Sequence, residues 1–289
     1  MRRLPEILTV IVATAVVGLV VPAPGEAADC PRDAVRAGTV CFDKYEASLW
    51  QIKPQGSATS LSKEQQSVVD SIRAGNVTLA DLNKIGAVQL GLNPAFPQQE
   101  LAAAGCAISG NGCTNVYAVS LPGVKPAGFV TWFQAAAAAR NSFKRLPTNA
   151  EWTVAAMGTP DAVADDGSTT CNVSSHLIVN AGSRRTCVSD VGVFDMVGNL
   201  IEWVADWVPR SDDSAASCGA GGANAWDTGG GFDGHGYQCL VGASTTGDPG
   251  ALWRGGGTAD GADNAGVFAI SGLNSPNTFD FALGFHAVR

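Results

Sequence analysis

Residues that commonly bind transition metals are scarce in this sequence. It contains three histidines, no Cys-x-x-Cys motif and no cysteine after Cys239. Because zinc sites are built from cysteine and histidine at short spacings, a zinc site is not indicated. A Gly-x-Ser-x-Gly motif is also missing, and the glycine run at 229–231 lies in no strand-to-helix context. Neither a hydrolase nucleophile nor a phosphate-binding loop is therefore predicted.

Positive charge is scarce as well. Eighteen Lys and Arg residues stand against 26 Asp and Glu, which gives a net charge of −8. A protein that binds a nucleic acid backbone needs a basic surface, so the acidic balance argues against a nucleic acid partner. The 35 glycines favour a loop-rich chain, and seven Trp with eleven Phe supply enough apolar bulk for a core. Intrinsic disorder is therefore not expected.

The N-terminus has the pattern of a signal peptide. Arg2 and Arg3 precede an apolar run at 7–21, and small residues follow up to a cleavage position after Ala27. This order directs export, so residues 1–27 are predicted to be removed and the mature protein to be secreted or periplasmic. No membrane span is then expected. An uncleaved anchor is the alternative, although the apolar run is short for a bilayer.

The eight cysteines form four pairs of close neighbours in the sequence. Exported proteins commonly oxidise their cysteines, and each pair would close a short loop. Eight cysteines allow on the order of 100 connectivities, so the sequence does not fix the pairing, and metal ligation is the alternative. The four pairs are Cys30 with Cys41, Cys106 with Cys113, Cys171 with Cys187, and Cys218 with Cys239.

Helix signals are confined to a few segments. Two apolar patterns at helical spacing, separated by the capping residue Thr78, predict a helical insertion at about 60–90. A further helix is predicted from Trp132 to Asn141. The next begins at Thr148 and Glu151, which form a capping box.

Strand signals are shorter. Residues 40–48 alternate as a first strand should, and the Ser, Gly and Ala residues of 211–236 indicate a long surface loop. Two helices combined with short strands and long glycine-rich loops predict an α+β fold.

Sequence motifs in the second half of the chain indicate a family. Residues 145–152 read RLPTNAEW, residues 194–207 read FDMVGNLIEWVADW, and RGGG at 254–257 and LGFH at 283–286 follow. In this order and spacing they resemble the formylglycine-generating-enzyme, or sulfatase-modifying-factor, family. The resemblance covers about residues 38–289. It implies a C-type-lectin-like fold with short antiparallel strands and two core helices.

The stretch GNLIEW resembles the part of the family that supplies a calcium site. Asn199 and Glu202 match the side chains that the family uses, and a hard cation prefers such oxygen ligands. The resemblance therefore implies a structural Ca²⁺ ion. The alternative is that Asn199 stabilises a turn and Glu202 accepts a buried hydrogen bond.

The enzymes of this family use a cysteine pair in the final segment to bind copper and activate oxygen. Residues 258–266 read TADGADNAG at this place, and a soft thiolate ligand cannot be replaced by hard oxygen donors. We therefore predict no catalytic residue and no copper. Two alternatives stay open: an oxidase or maturation factor for an exported enzyme, and a structural envelope protein.

The final segment, residues 253–289, is predicted to form a binding surface. Its pattern resembles the variable proteins of diversity-generating retroelements, in which residues between framework positions contact a ligand. The implied partner is a protein or glycan on a cell surface or in the envelope. The alternative is an ordinary terminus with Phe279 and Phe281 in the core. The candidate ligand-binding residues are Trp253, Thr258, Asp260, Asp263, Asn274, Asn277, Phe279, Asp280, Phe281 and His286.

Overall fold

The structure is a computed structural model that describes residues 29–92, 97–161, 163–209, 238–240 and 249–289. The predicted signal peptide, the predicted loop at 211–236 and Cys218 lie outside these residues. Within them, no helix is long and apolar enough to cross a membrane.

The described residues form three β-sheets. The strands are β1 (Ala34–Ala37), β2 (Val40–Asp43), β3 (Ala47–Gln51), β4 (Val88–Leu90), β5 (Val116–Ser120), β6 (Ile201–Val208), β7 (Gln238–Cys239), β8 (Gly250–Gly255), β9 (Gly266–Asn274) and β10 (Leu283–Gly284). The first sheet is the antiparallel hairpin β1-β2, and the second places β3 between β4 and β5, again antiparallel. The third has the order β10-β6-β8-β9-β7, with an antiparallel centre and a parallel strand at each edge.

Five helices accompany these sheets in the described part of the chain. The helices are α1 (Lys63–Arg73), α2 (Leu79–Lys84), α3 (Pro97–Ala103), α4 (Trp132–Asn141) and α5 (Asn149–Ala156). Capping boxes precede α1, α2, α4 and α5, so side chains satisfy backbone donors that the first helical turn leaves free. The predicted box at Thr148 and Glu151 is confirmed, and so is the α+β fold.

The predicted first strand is wrong in one respect, because residues 40–48 form two strands with a break between them. Lys44 N donates a hydrogen bond to Asp33 O, and the Glu46 carboxylate points inward to accept one from Leu200 N. These contacts to distant parts of the chain bend the backbone between β2 and β3. The alternating pattern alone could not show them.

Strand β3 is buried on both faces. Leu49 packs in a core cluster with Ala138 of α4, while Trp50 packs with Val69 of α1 and Leu82 of α2. Helices therefore cover both sides of this sheet, which explains why all five β3 residues are buried. The predicted helical insertion supplies one of the two covering layers.

Three of the four predicted cysteine pairs are disulfides. Cα–Cα distances are 5.4 Å for Cys30–Cys41, 4.0 Å for Cys106–Cys113 and 4.8 Å for Cys171–Cys187. The fourth pair includes Cys218, outside the described residues. Disulfides of this kind are typical of proteins in oxidising compartments.

Candidate functional site

The turn before β6 is built around Asn199. Gly198 and Asn199 both have positive φ, 76° and 58°, a conformation that glycine and asparagine tolerate best. A Cβ on Gly198 would lie 2.5 Å from the carbonyl oxygen of Asn172, so this position requires glycine. Asn199 N in turn donates to that carbonyl at 2.8 Å.

All the hydrogen-bonding capacity of the Asn199 amide is used inside the fold. Its Oδ1 accepts from Asn172 Nδ2 and Val179 N, each at 2.9 Å, and its Nδ2 donates to Glu46 Oε2 and to Val179 O. An oxygen that already faces two N–H donors is not available to a cation. Asn199 therefore does not fit the predicted calcium site in this arrangement.

Glu202 is also fully buried, and one of its two carboxylate oxygens has partners. Trp152 Nε1 donates to its Oε2 at 2.9 Å, and Arg254, on the neighbouring strand β8, stacks over the Trp152 ring with 4.5 Å between guanidinium carbon and ring centroid. Nδ1 of His286 lies 2.9 Å from the same Oε2, within ion-pair distance. Within the described residues, no group of three acidic, His or Cys side chains is arranged to hold a metal ion. The contacts of Oε2 thus match the alternative role, a buried hydrogen bond, while Oε1 has no hydrogen-bond partner within the described residues.

These buried groups perturb one another's ionisation. Burial raises the pKa of Asp195 to about 7, and burial together with the Asp195 and Glu202 charges raises the pKa of Glu46 well above its usual range. Burial alone would lower the pKa of His286, but the Glu202 carboxylate, together with the charges of Asp43 and Asp195, outweighs it and raises that pKa. The site is therefore a packed, titratable core beneath β6 and β10.

Two predicted ligand-binding residues lie inside this core rather than at the surface. His286 and Thr258 are both 0% exposed. The Thr258 hydroxyl donates to Leu177 O at 2.9 Å and lies 2.9 Å from the Ser175 hydroxyl. Neither side chain can contact a ligand from outside in this structure, so we leave both out of the proposed binding surface.

The other predicted residues reach the surface to different extents. Asp263, Asn277, Asp280 and Phe281 are exposed, and Trp253, Asp260, Asn274 and Phe279 are half-buried. We call these eight residues the C-terminal set. Within this set, Trp253 Nε1 donates to Asn274 Oδ1 at 2.9 Å. Burial raises the pKa of Asp260, and the nearby Asp280 charge adds to this rise.

A cavity of about 170 Å³ opens beside Phe281. We call it the Phe281 cavity, and the side chains of Phe129, Leu177, Ile178 and Lys125 also line it. Leu177 is 70% exposed although it is large and apolar. Single exposed apolar residues are common, whereas apolar side chains around a concavity are typical of binding sites. The cavity is smaller than the roughly 300–1,000 Å³ of most small-molecule sites, so it has room for part of a ligand only.

Sequence reasoning missed the residues that complete this cavity. Phe129 and His176 line it with positive φ, 54° and 58°, a conformation that is uncommon for bulky residues. Hydrogen bonds fix both backbones, from Phe129 N to Asp280 O at 2.7 Å and from His176 N to Thr258 O at 2.9 Å. Only tertiary contacts with the final segment bring them there, so no local pattern could have identified them.

A second exposed apolar group lies where α4 meets β6. Trp132, Phe133 and Trp207 make mutual edge contacts, with ring centroids 5.1–5.9 Å apart, and Trp207 is 38% exposed. Trp132 N donates to Pro276 O at 3.0 Å, which links this aromatic group to the final segment. Tryptophan and phenylalanine at a surface give large contact areas at low entropic cost.

The fold and these motifs define a C-type-lectin-like α+β domain. The sequence matches the family described as sulfatase-modifying factor enzyme 1-like domain over residues 71–289, and the chain belongs to that family. The matched region begins later than the predicted start at residue 38. No curated protein sequence matches the chain significantly.

Several solved structures are similar to this chain. The M1 variant of Major Tropism Determinant is 17% identical over 89% of this chain and 52% of its own, with a TM-score of 0.43. CarF is 14% identical over 86% of this chain and 85% of its own, with a TM-score of 0.39. Treponema denticola variable protein 1 is 18% identical over 88% and 97%, with a TM-score of 0.35. The chain matches 37% of the P3c variant of Major Tropism Determinant and therefore spans about half or less of the length of the Major Tropism Determinant variants.

Proposed function

We propose that this chain is an exported, non-catalytic binding protein on a sulfatase-modifying-factor scaffold, and that the C-terminal set contacts the ligand. The observation that carries the proposal is the Phe281 cavity, where the final segment exposes an aromatic ring beside an apolar concavity. The framework around it is closely packed, because Gly284 and Phe285 are buried and a Cβ on Gly284 would lie 2.7 Å from Ala127 O.

The chemistry of the final segment supports binding over oxidation. The oxidase mechanism implied by the family needs thiols in this segment, and no cysteine follows Cys239. The described part of the chain contains no free cysteine that could act from elsewhere. In place of thiols, Asp260 Oδ2 accepts a hydrogen bond from Gly257 N at 2.7 Å and shapes the loop between β8 and β9.

An assay for aldehyde formation separates the proposal from the oxidase alternative. The mature protein is loaded with stoichiometric copper and incubated in air with a cysteine-containing peptide. We expect the thiol to persist, with no aldehyde detectable by mass spectrometry. Formation of formylglycine at a catalytic rate would contradict a binding-only role.

The ligand class is testable by direct binding. Arrays of immobilised glycans and of peptides, probed with the labelled mature protein, distinguish the two partner chemistries that the proposal allows. If the C-terminal set is diversified, a reverse transcriptase gene and a template copy of the final segment, differing at adenines, should lie nearby in the genome.

Export supports this function and has its own test. The three disulfides of the described part fit an oxidising compartment. Sequencing the N-terminus of the mature protein should give Ala28 as its first residue. Structural calcium at Asn199 and Glu202 stays a prediction of the family resemblance. The Asn199 amide is fully hydrogen-bonded, whereas Glu202 Oε1 has no hydrogen-bond partner within the described residues.

A further inference from the structure

A cleft of about 420 Å³ lies between the N-terminal strands and the helical insertion. Its volume falls in the range of small-molecule sites, roughly 300–1,000 Å³. No residue that lines it belongs to 253–289, so it is separate from the proposed binding surface. The residues that matter here are Arg32, Lys44, Tyr45, Val77, Leu79 and Leu121.

The cleft carries uncompensated positive charge in an acidic protein. The Arg32 guanidinium is exposed and has no ion pair or hydrogen bond within the described residues. The Lys44 ammonium makes one hydrogen bond there, to the carbonyl oxygen of Arg32 at 3.0 Å, so two of its three protons stay available.

The nearby carboxylate does not neutralise these cations. Asp33 is held by Lys144 at 2.8 Å and by Arg289 at 2.7 Å. Burial alone would raise the pKa of Asp33, but Lys144 and Arg289 outweigh it and lower that pKa. The carboxylate therefore stays ionised and is paired with Lys144 and Arg289, not with Arg32 or Lys44. The positive charge of Arg32 and Lys44 is therefore free to act on a ligand.

The backbone that presents the cations is fixed before any ligand arrives. The Cys30–Cys41 disulfide anchors the segment on one side of Arg32. On the other side, Asp33 N donates to Gly75 O at 3.1 Å and Lys44 N donates to Asp33 O at 2.9 Å. A preorganised site loses less conformational entropy on binding, which favours recognition of a small ligand.

The rest of the lining suits a ligand that is larger than an inorganic anion and has a ring. Val77, Leu79 and Leu121 are apolar, and the Tyr45 ring is held by stacking on Phe194 with 5.2 Å between centroids. Burial, followed by the Asp195 charge, raises the pKa of the Tyr45 phenol, so its hydroxyl stays protonated and can donate. An inorganic anion would leave the apolar wall unfilled, and a neutral sugar would leave both cations unpaired.

We propose that this cleft binds an acidic sugar unit, with Arg32 and Lys44 on its carboxylate and Tyr45 and the apolar wall beside its ring. Guanidinium and ammonium groups make charge-assisted hydrogen bonds to carboxylates, and the phenol supplies a donor or acceptor for a sugar hydroxyl.

Isothermal titration of the mature protein with D-glucuronate tests this, with D-glucose, inorganic phosphate and benzoate as comparison probes. We expect D-glucuronate to bind and D-glucose not to bind. Arg32→Ala and Lys44→Ala should each weaken D-glucuronate binding by about 10-fold or more. Lys63→Ala is the matched control, since it removes an exposed positive charge at the start of α1 outside the cleft and should leave binding unchanged.

Unchanged affinity in both cleft variants, or no heat with D-glucuronate at millimolar concentration, would overturn the proposal. So would equal or tighter binding of phosphate or benzoate through the same two residues, because the site would then recognise charge without the sugar. Circular dichroism of each variant ensures that a lost signal is not lost folding. Since the cleft lies outside 253–289, a negative result leaves the proposed function untouched.

Discussion

Asn199 is the buried residue whose replacement we expect to destabilise the fold most clearly. Asn199→Ala removes an amide that satisfies Asn172, Val179 and Glu46, and places alanine at a φ of 58°. Leaving buried polar groups without partners costs about 1–3 kcal/mol each, so unfolding should become easier by about 3 kcal/mol or more. Urea denaturation followed by tryptophan fluorescence measures this difference.

The matched control for this experiment is Asn264→Ala. Asn264 is exposed and makes one side-chain hydrogen bond, to Asp260 O at 3.1 Å, so its loss should cost less than about 1 kcal/mol. Equal midpoints for Asn199→Ala and the parent would contradict the structural role of Asn199. Adding Ca²⁺ or EDTA to the parent in the same assay tests the calcium prediction. A higher midpoint with Ca²⁺ would support a structural ion, and equal midpoints would contradict it.

At this scale the sequence indicated residue types correctly but not their surroundings. Asn199 and Glu202 stand out in the motif, yet only the structure shows that Glu46, more than 150 positions away, receives the hydrogen bond from Asn199. The sequence presents Phe281 and His286 equally as candidates for the ligand surface, but Phe281 is 37% exposed and His286, five positions later, is fully buried. Exposure depends on the fold around a residue, and a single sequence of irregular loops has no period that reveals it.

Among the secondary-structure elements, α5 offers the sharpest test of local sequence signals. The Thr148 hydroxyl accepts a hydrogen bond from Glu151 N at 3.2 Å, and Glu151 Oε2 accepts one from Thr148 N at 2.8 Å. Thr148→Ala should lower the free energy of unfolding by about 1 kcal/mol. Thr39→Ala, an exposed threonine in the β1–β2 turn, is the control and should change stability by less than about 0.5 kcal/mol. A cost no larger than that of Thr39→Ala would contradict the capping role.

The Glu151 carboxylate of α5 predicts that the stability of the fold decreases at acidic pH. The bidentate hydrogen bonds from Arg145 lower the pKa of Glu151 to about 2. A carboxylate whose pKa is lower in the folded state stabilises the fold at any pH above its unfolded-state pKa. This contribution is lost as the pH falls from about 4.5 towards 2. Glu151→Gln should therefore lower the melting temperature at pH 6 by more than at pH 2.5. Equal losses at both pH values would show that the charge contributes nothing.

Helices were more predictable than strands for a physical reason. The capping boxes and the 3.6-residue spacing are local, so helices at 132–141 and after Thr148 follow from the sequence. Strand β3 is covered by helices on both faces and shows no alternation, and β1 is recognisable only through its pairing with β2. Strands take their identity from partners that are distant in sequence, and a local pattern carries no information about those partners.

For the molecule as a whole, the buried acids predict greater stability at mildly acidic pH. Burial raises the pKa of Asp195 to about 7 and that of Asp43 to about 6, so both groups bind protons more tightly in the folded state. When an acid has a raised pKa in the folded state, the free energy of unfolding falls as the pH rises from the pKa of the unfolded state, about 3.9, through the pKa of the folded state. The raised pKa of His286 acts in the same direction. The melting temperature should therefore be higher at pH 5 than at pH 8.

Asp195→Asn isolates this effect. Asparagine tolerates the φ of 61° at this position, and its side-chain oxygen can still accept the hydrogen bond from Gly182 N. The variant should lose a large part of the fall in stability between pH 5 and pH 8, on the order of 2 kcal/mol. Thr39→Ala, which changes an exposed residue and no titratable group, should keep the parent profile. Identical pH profiles for the parent and Asp195→Asn would contradict the assignment.

Binding through the final segment is the central claim, and it is tested most directly at the Phe281 cavity. The measurement is the affinity of the parent, of Phe281→Ala and of Phe143→Ala for the glycan or peptide that the arrays identify. Phe143 is 66% exposed and lies over Arg73 outside the final segment, so it controls for loss of an exposed ring. We predict at least a roughly 10-fold loss for Phe281→Ala and none for Phe143→Ala. Equal affinity of all three proteins would contradict the placement of the ligand at this surface.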